Sequence, residues 1–381
     1  MAVNQFFDKR SEQSTKKIRI VSKFFASWAN VMLNTARNNG RNIDSIRLGF
    51  VDPFAGPGRY KDNTPATPIR ILEHTLSDSE LRGTVVCQFN DVNQVFADTL
   101  SKEIESLPGI EQLKYKPVVT NRAIENFDTK FLTSAGRYYP TLYYFDPWGY
   151  KGLTLDLIRQ SIEPFGCDCV FFFNFNRINA AITNPQFKPH VDALFGVERA
   201  EDLRRRIGYC RTPTQRRDLI VETLKEALKS VHGKYSKEFL FRTDNGHPSH
   251  FIIMTSKSVK AYDIMKTIMA NESTGLYSEV PNFGHDPLDE YQKNAPSLFG
   301  DLDFKIEDLK ERILSEFKGQ SVTFGTLFIR HNVGTNFIRK NYSNAILELE
   351  EQKKIEVFPP ATERKRGSRV TCSDDVLIVF P

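Results

Sequence analysis

The run Asp52-Pro53-Phe54-Ala55-Gly56-Pro57-Gly58, placed directly after the apolar stretch 46–51, constrains the fold of this chain more than any other feature. A strand that ends on an acid and then turns through two spaced glycines brings backbone rather than side chains to the sheet's carboxyl edge. Glycine adopts the positive φ that such a turn needs and lets a nucleoside come close. Ligands of open α/β sheets bind at that edge. The run is not a full G-x-G-x-x-G, and an acid at its head suits a cofactor with a cationic amino-acid tail and no pyrophosphate. The pattern therefore argues against a dinucleotide.

The rest of the chain alternates strands with helices. Apolar runs at 84–89, 116–120, 141–145 and 169–175 are separated by helical patterns. One helix starts at Thr67 and Pro68, one spans 94–107 before Pro108-Gly109, and one runs from Thr154 to Pro164. Such alternation predicts right-handed crossovers and a parallel sheet covered on both faces. Stretches 238–242 and 250–255 differ, because Asp244-Asn245-Gly246 between them signals a reversal and an antiparallel pair. The fold class expected is α/β, a Rossmann-like class I methyltransferase sheet, mostly parallel with one antiparallel strand. A helix at 15–33, with Val21, Phe24, Phe25, Trp28, Val31 and Met32 on one face, packs against it.

Residues 1–270 form this domain, interrupted by a helical insertion at 177–236 that carries Arg204-Arg205-Arg206 and Arg216-Arg217. Those arginines suit a solvated helix face as well as a phosphate-contacting one. Residues 271–303, rich in Gly, Pro, Asn and Asp, are expected to be a linker. Residues 304–381 follow the order of a winged helix: helices at 306–317, 326–331 and 336–352, a strand at 355–358, a basic loop at 363–369 and a strand at 376–380.

Composition decides less. Lys and Arg total 52 against 47 Asp and Glu, a net charge of +5, compatible with an acidic polymer but not demanding one. No stretch approaches the roughly 18 apolar residues of a membrane span, and no signal peptide is visible, so a cytoplasmic location is expected. Five scattered cysteines do not suggest a disulfide framework. Cys167-Asp168-Cys169 lacks a second ligand pair at metal-site spacing and reads as part of a buried strand, so no metal is called for.

Four places carry the chemistry. Asp52, Phe54, Gly56 and Gly58 line the first turn. Asp91, ending the second strand, can take both ribose hydroxyls or cap the next helix; it lies 33 positions beyond Gly58, and residues 59–66 act as an inserted loop. Asn121, after the third strand, either meets an adenine ring or is a plain loop residue. Asp146-Pro147-Trp148-Gly149 resembles the Asp-Pro-Pro-aromatic run with which amine methylases hold their target: Asp146 and a backbone carbonyl accept N–H bonds and Trp148 stacks on the base. One proline fewer, and Gly149 in the aromatic's place, leave a structural role open. In the C-terminal module Arg339, Lys340, Arg364, Lys365, Arg366 and Arg369 are candidates to straddle a nucleic-acid groove. Residues 305–381 hold 13 Lys and Arg against 11 Asp and Glu, so protein docking stays open as well.

Phe6-Phe7-Asp8-Lys9-Arg10, residues 51–60, Asp91 with Asn93, and residues 145–149 together resemble the three-Cys-motif partner proteins of bacteria. Asn90-Asp91-Val92-Asn93 departs from the family's Glu-x-Asp, keeping an acid and then an amide. The resemblance covers about residues 1–270 and implies a class I methyltransferase-like fold, with a three-cysteine, iron-sulfur-type protein as its partner. The function expected is S-adenosylmethionine-dependent methylation, with nucleic acid as the acceptor. The alternative is a catalytically silent partner protein that docks DNA or protein through its winged helix.

Overall fold

A computed structural model describes residues 11–123, 135–147, 152–274, 276–277, 280–288, 306–366 and 369–381. The chain divides into two units, Met1–Arg242 with His247–Ile268, and Thr243–Gly246 with Met269–Pro381.

In the first unit helix α1, Glu12–Asn38, starts where the Ser11 hydroxyl accepts the Ser14 N–H at 3.0 Å. Val21, Phe24, Phe25 and Trp28 are buried along one stripe. Lys17 is buried on the same stripe, one turn before Val21.

The sheet follows. Strands β1 (Leu48–Asp52), β2 (Val85–Asn90), β3 (Val118–Thr120), β4 (Thr141–Phe145), β5 (Asp168–Phe173), β6 (Tyr235–Arg242) and β7 (Pro248–Ser256) lie in the order β3-β2-β1-β4-β5-β7-β6. β1 pairs in parallel with β2 and β4, placing Phe50 beside Cys87 and Leu142. β7 runs antiparallel to both β5 and β6. This is the class I methyltransferase arrangement, mostly parallel with one reversed strand. Every residue of β1 and β4 is buried, which is why these strands read as continuous apolar runs rather than alternating ones. Helices α2 (Thr67–Ser77), α3 (Ser79–Thr84), α4 (Gln94–Glu105) and α5 (Leu155–Ile162) fill the crossovers. Thr67 is the first helical residue rather than the cap. α3 has no counterpart in the sequence reading, because its six residues are too few to show a period. β5 ends at Phe173, since Asn174 accepts the Arg177 N–H and starts a helix.

The insertion is helical: α6 (Phe175–Ala181), α7 (Lys188–Phe195), α8 (Val197–Ile207) and α9 (Pro213–Ser230). Ile178, Leu194, Leu203 and Leu224 share one core with Phe171 of β5 and Ile158 of α5. Its arginines serve the insertion itself. Arg204 pairs with Asp192 at 2.6 Å and reaches Ile182 O at 3.0 Å, Arg216 holds Asn179, and Arg205 and Arg206 pair with Asp202.

After β7 come α10 (Val259–Glu272) and short strands β8 (Leu276–Tyr277), β9 (Val280–Pro281) and β10 (Gly284–His285). Within the stretch expected as a linker, Val280, Phe283 and His285 are buried, and Val280 joins the core of the second unit. Two-residue strands rich in Gly, Pro and Asn carry no readable period, which hid them. The winged helix comprises α11 (Ile306–Glu316), β11 (Ser321–Thr323), α12 (Phe324–His331), α13 (Arg339–Glu351), β12 (Glu356–Phe358), β13 (Lys365–Arg366), β14 (Arg369–Val370) and β15 (Leu377–Val379). β15 pairs with β11 and β12, and β13 with β14. α13 starts three residues later than the periodicity suggests, where the Asn341 side chain accepts the Ile338 N–H at 2.9 Å.

Candidate active site

The carboxyl ends of β1, β2 and β4 bring together most of the residues singled out in the sequence. The turn after β1 is set by its own acid: one Asp52 carboxylate oxygen accepts the Phe54 N–H at 3.0 Å. Gly56 and Gly58 follow at φ +64° and +84°, the left-handed region that side chains other than glycine's avoid. A Cβ on Gly58 would lie 2.7 Å from Leu100 Cδ1, so the close packing of turn on α4 also requires glycine. Phe54 is half-buried against the core.

Asp91 meets this turn directly. Its Oδ2 accepts the Gly56 N–H at 2.9 Å and its Oδ1 the Asn93 N–H at 2.8 Å. The cap of α4 is Asn93, which accepts from the Val95 and Phe96 N–H groups. Asn90, which the sequence reading passed over, pins the strand ends: its amide donates to Pro53 O and Arg122 O, both at 3.1 Å, while its backbone carbonyl takes the Ala55 N–H at 2.9 Å. Asn121 donates its amide to Asp91 O at 2.8 Å and Val92 O at 2.9 Å, so that nitrogen holds the loop rather than pointing to a ligand.

Asp52 is 1% exposed and Asp91 7%. Burial, and then the charges of Asp146 and Asp91, push the Asp52 carboxyl well above the usual range. Burial raises that of Asp91 against its two backbone bonds. Two buried acids near one another are relieved by a ligand that brings hydrogen-bond donors and positive charge. An adenosyl ribose with an ammonium-bearing tail supplies both, so the donor set fits S-adenosylmethionine.

β4 ends in Asp146 and Pro147; Trp148 and Gly149 lie outside the described residues. Asp146 is not a free carboxylate. Its Oδ2 forms an ion pair with Lys17 of α1 and accepts the Tyr144 hydroxyl at 3.0 Å. The Lys17 side chain is 7% exposed and its Nζ lies 5.0 Å above the Phe172 ring. Burial works against the ammonium, but Asp146, Tyr60 and Asp52 outweigh it and raise the pKa above that of an ordinary lysine. Lys17 was not singled out in the sequence. The available signal was its place in the α1 stripe, at spacings of 4, 7 and 11 from Val21, Phe24 and Trp28.

The basic residues of the winged helix divide into two groups. Arg364 is turned inward: it pairs with Glu350, donates to Thr371 O at 3.2 Å and to Cys372 Sγ at 3.1 Å, and keeps 4% of its side chain exposed. That guanidinium belongs to the core of the domain, not to a groove-facing surface. Arg339 pairs with Asp374 and lies 4.8 Å over Phe324 and 5.2 Å over Phe328. Lys340 and Lys365 are exposed. Arg366 and Arg369 occupy β13 and β14, and the tip Gly367-Ser368 lies outside the described residues.

Comparison with known proteins agrees with both parts. Residues 284–362 match the model of the GMT-like wHTH domain. No curated protein matches the sequence. Among solved structures, the chain is similar to a predicted O-methyltransferase from Agrobacterium tumefaciens, at 12% identity over 54% of this chain and 72% of that one, TM-score 0.29. It is also similar to a SAM-dependent methyltransferase from Methanosarcina mazei, at 10% identity over 55% and 92%, TM-score 0.29. A third similarity is to the CurJ carbon methyltransferase, at 13% identity over 56% of this chain and half of that one, TM-score 0.31. No described helix is long and apolar enough to cross a membrane.

Proposed function

We propose that this chain is an S-adenosylmethionine-dependent methyltransferase acting on nucleic acid. Asp52, Phe54, Gly56, Gly58 and Asp91 hold the cofactor, Asp146 and Pro147 stand at the acceptor, and the winged helix holds the polymer through Lys340, Lys365 and the wing. The observation that carries this reading is the meeting of two buried carboxyls across a left-handed glycine turn at the sheet's carboxyl edge. When bound, the cofactor supplies an electrophilic methyl on a sulfonium, and the protein's part is chiefly to position the acceptor in line with it. The resemblance to three-Cys-motif partner proteins supports a three-cysteine, iron-sulfur-type companion as a further partner.

Pairing of Asp146 with Lys17 favours a second reading, a silent methyltransferase-like protein that only docks DNA or protein, because the carboxylate that would hold an amine is already engaged. One pair of measurements separates the two. Calorimetric titration with S-adenosylhomocysteine is expected to show binding that Asp91→Ala removes. Methyl label from the cofactor is expected to pass to DNA or RNA and to stop in Asp146→Ala. Binding without transfer leaves the silent reading; no binding at all removes the enzyme.

A further inference from the structure

The Lys17–Asp146 pair sits where the acceptor must come, and its charge discriminates between acceptor atoms. A nitrogen becomes positive as it takes a methyl group. A hydroxyl oxygen has to shed a proton, and its reactivity grows as negative charge builds on it. A fixed ammonium beside the reacting atom hinders the first reaction and assists the second. An amine would also need the Asp146 carboxylate as its hydrogen-bond acceptor, yet Oδ2 already serves Lys17 and the Tyr144 hydroxyl. The pair is rigidly placed: the lysine is on a capped helix beneath the Phe172 ring, and the carboxylate is bonded from both sides of β4. Asp146 keeps 22% of its side chain exposed, so an acceptor can approach the pair from solvent. The neighbouring acids keep Lys17 charged, which makes it a donor and not a base.

Resting on the methyltransferase reading above, we propose that the acceptor is a hydroxyl oxygen of RNA ribose and that Lys17 is a catalytic residue that stabilises the negative charge on it. RNA is the nucleic acid with a hydroxyl at every internal sugar. In the step, an oxygen lone pair forms the new C–O bond to the methyl carbon, the C–S bond breaks, and its electron pair returns to sulfur as a neutral thioether. The hydroxyl proton leaves through the Asp146 carboxylate to water, while the Lys17 ammonium donates to the oxygen throughout and stays protonated.

The test gives the full chain methyl-labelled S-adenosylmethionine together with a transcribed RNA pool, or with DNA of the same sequence, and separates the digested nucleosides. Label is expected in 2′-O-methyl nucleosides of the RNA and absent from the DNA. Lys17→Met is expected to lose on the order of 100-fold in kcat while S-adenosylhomocysteine affinity stays within about threefold, and Lys17→Arg to restore part of the rate. Label on a base, label in DNA, or no label in either polymer from a chain that binds S-adenosylhomocysteine overturns the proposal. So does a Lys17→Met chain that loses cofactor affinity but keeps kcat, since Lys17 would then be a cofactor clamp. Product identity is read on the unaltered chain and does not depend on a variant folding. If that chain fails to bind S-adenosylhomocysteine, the methyltransferase reading itself falls, and the titration tells this apart from failure of the acceptor assignment.

Discussion

Single side chains in this molecule are best judged by what they would leave behind. Arg364 looks from sequence like a phosphate contact at a wing tip, yet its removal strands the Glu350 carboxylate, itself 16% exposed. Arg364→Ala is therefore expected to lower stability by about 3–5 kcal/mol, read by urea denaturation, because a buried charge loses its partner. Asp168 on β5 gives a pH signature. Burial pushes its carboxyl from the ordinary 3.8 up to about 6. Between those values the folded chain holds a proton that the unfolded chain has released, so stability falls as pH rises through that window. The loss is roughly 3 kcal/mol and complete above the folded value. Asp168→Asn is expected to flatten that part of the stability–pH curve. At the site, Asp52 and Asp91 must be ionised to accept from the cofactor, and both carboxyls are raised. Affinity for S-adenosylhomocysteine should accordingly weaken on the acid side, by about tenfold per pH unit for one such group below its raised pKa, as calorimetry across pH 5 to 8 would show.

At the scale of elements, the turn after β1 is the least replaceable. Gly58→Ala must adopt φ +84° with its Cβ pressed on Leu100, and a cost of about 1–3 kcal/mol is expected in denaturant melts, together with loss of cofactor binding. This turn was legible in the sequence, and so were β1 and β4, because strands buried on both faces and ended by an acid and a glycine leave a dense local record. The antiparallel β6–β7 pair was legible from Asn245-Gly246, where Gly246 takes φ +73°. β11 was not: of its three residues only Val322 is buried, and no period fits into so short a strand. Lys17 escaped for a different reason. Its partner Asp146 lies 129 positions further on, and nothing local to α1 distinguishes a lysine that closes an ion pair from one that faces water. Asn90 escaped likewise, since an amide that ties three strand ends together resembles any polar residue after a strand.

For the whole molecule, the two proposed tasks use separate residues and should fail separately. Reversing Lys340 and Lys365 to Glu is expected to weaken RNA binding and flatten its dependence on salt, with S-adenosylhomocysteine affinity unchanged; Asp91→Ala is expected to do the opposite. Filter binding at several salt concentrations beside calorimetry would read both. One feature of α1 has a practical bearing. Lys17 stands six residues past the Ser11 cap, roughly 9 Å along the axis at 1.5 Å per residue, in the part of a helix where ends unwind first. The ammonium at the acceptor is therefore only as well ordered as two turns of peptide hydrogen bonds. An affinity tag, a trimmed leader or a Ser11→Ala change at that end would loosen a charge it never touches, making the choice of expression vector a kinetic variable.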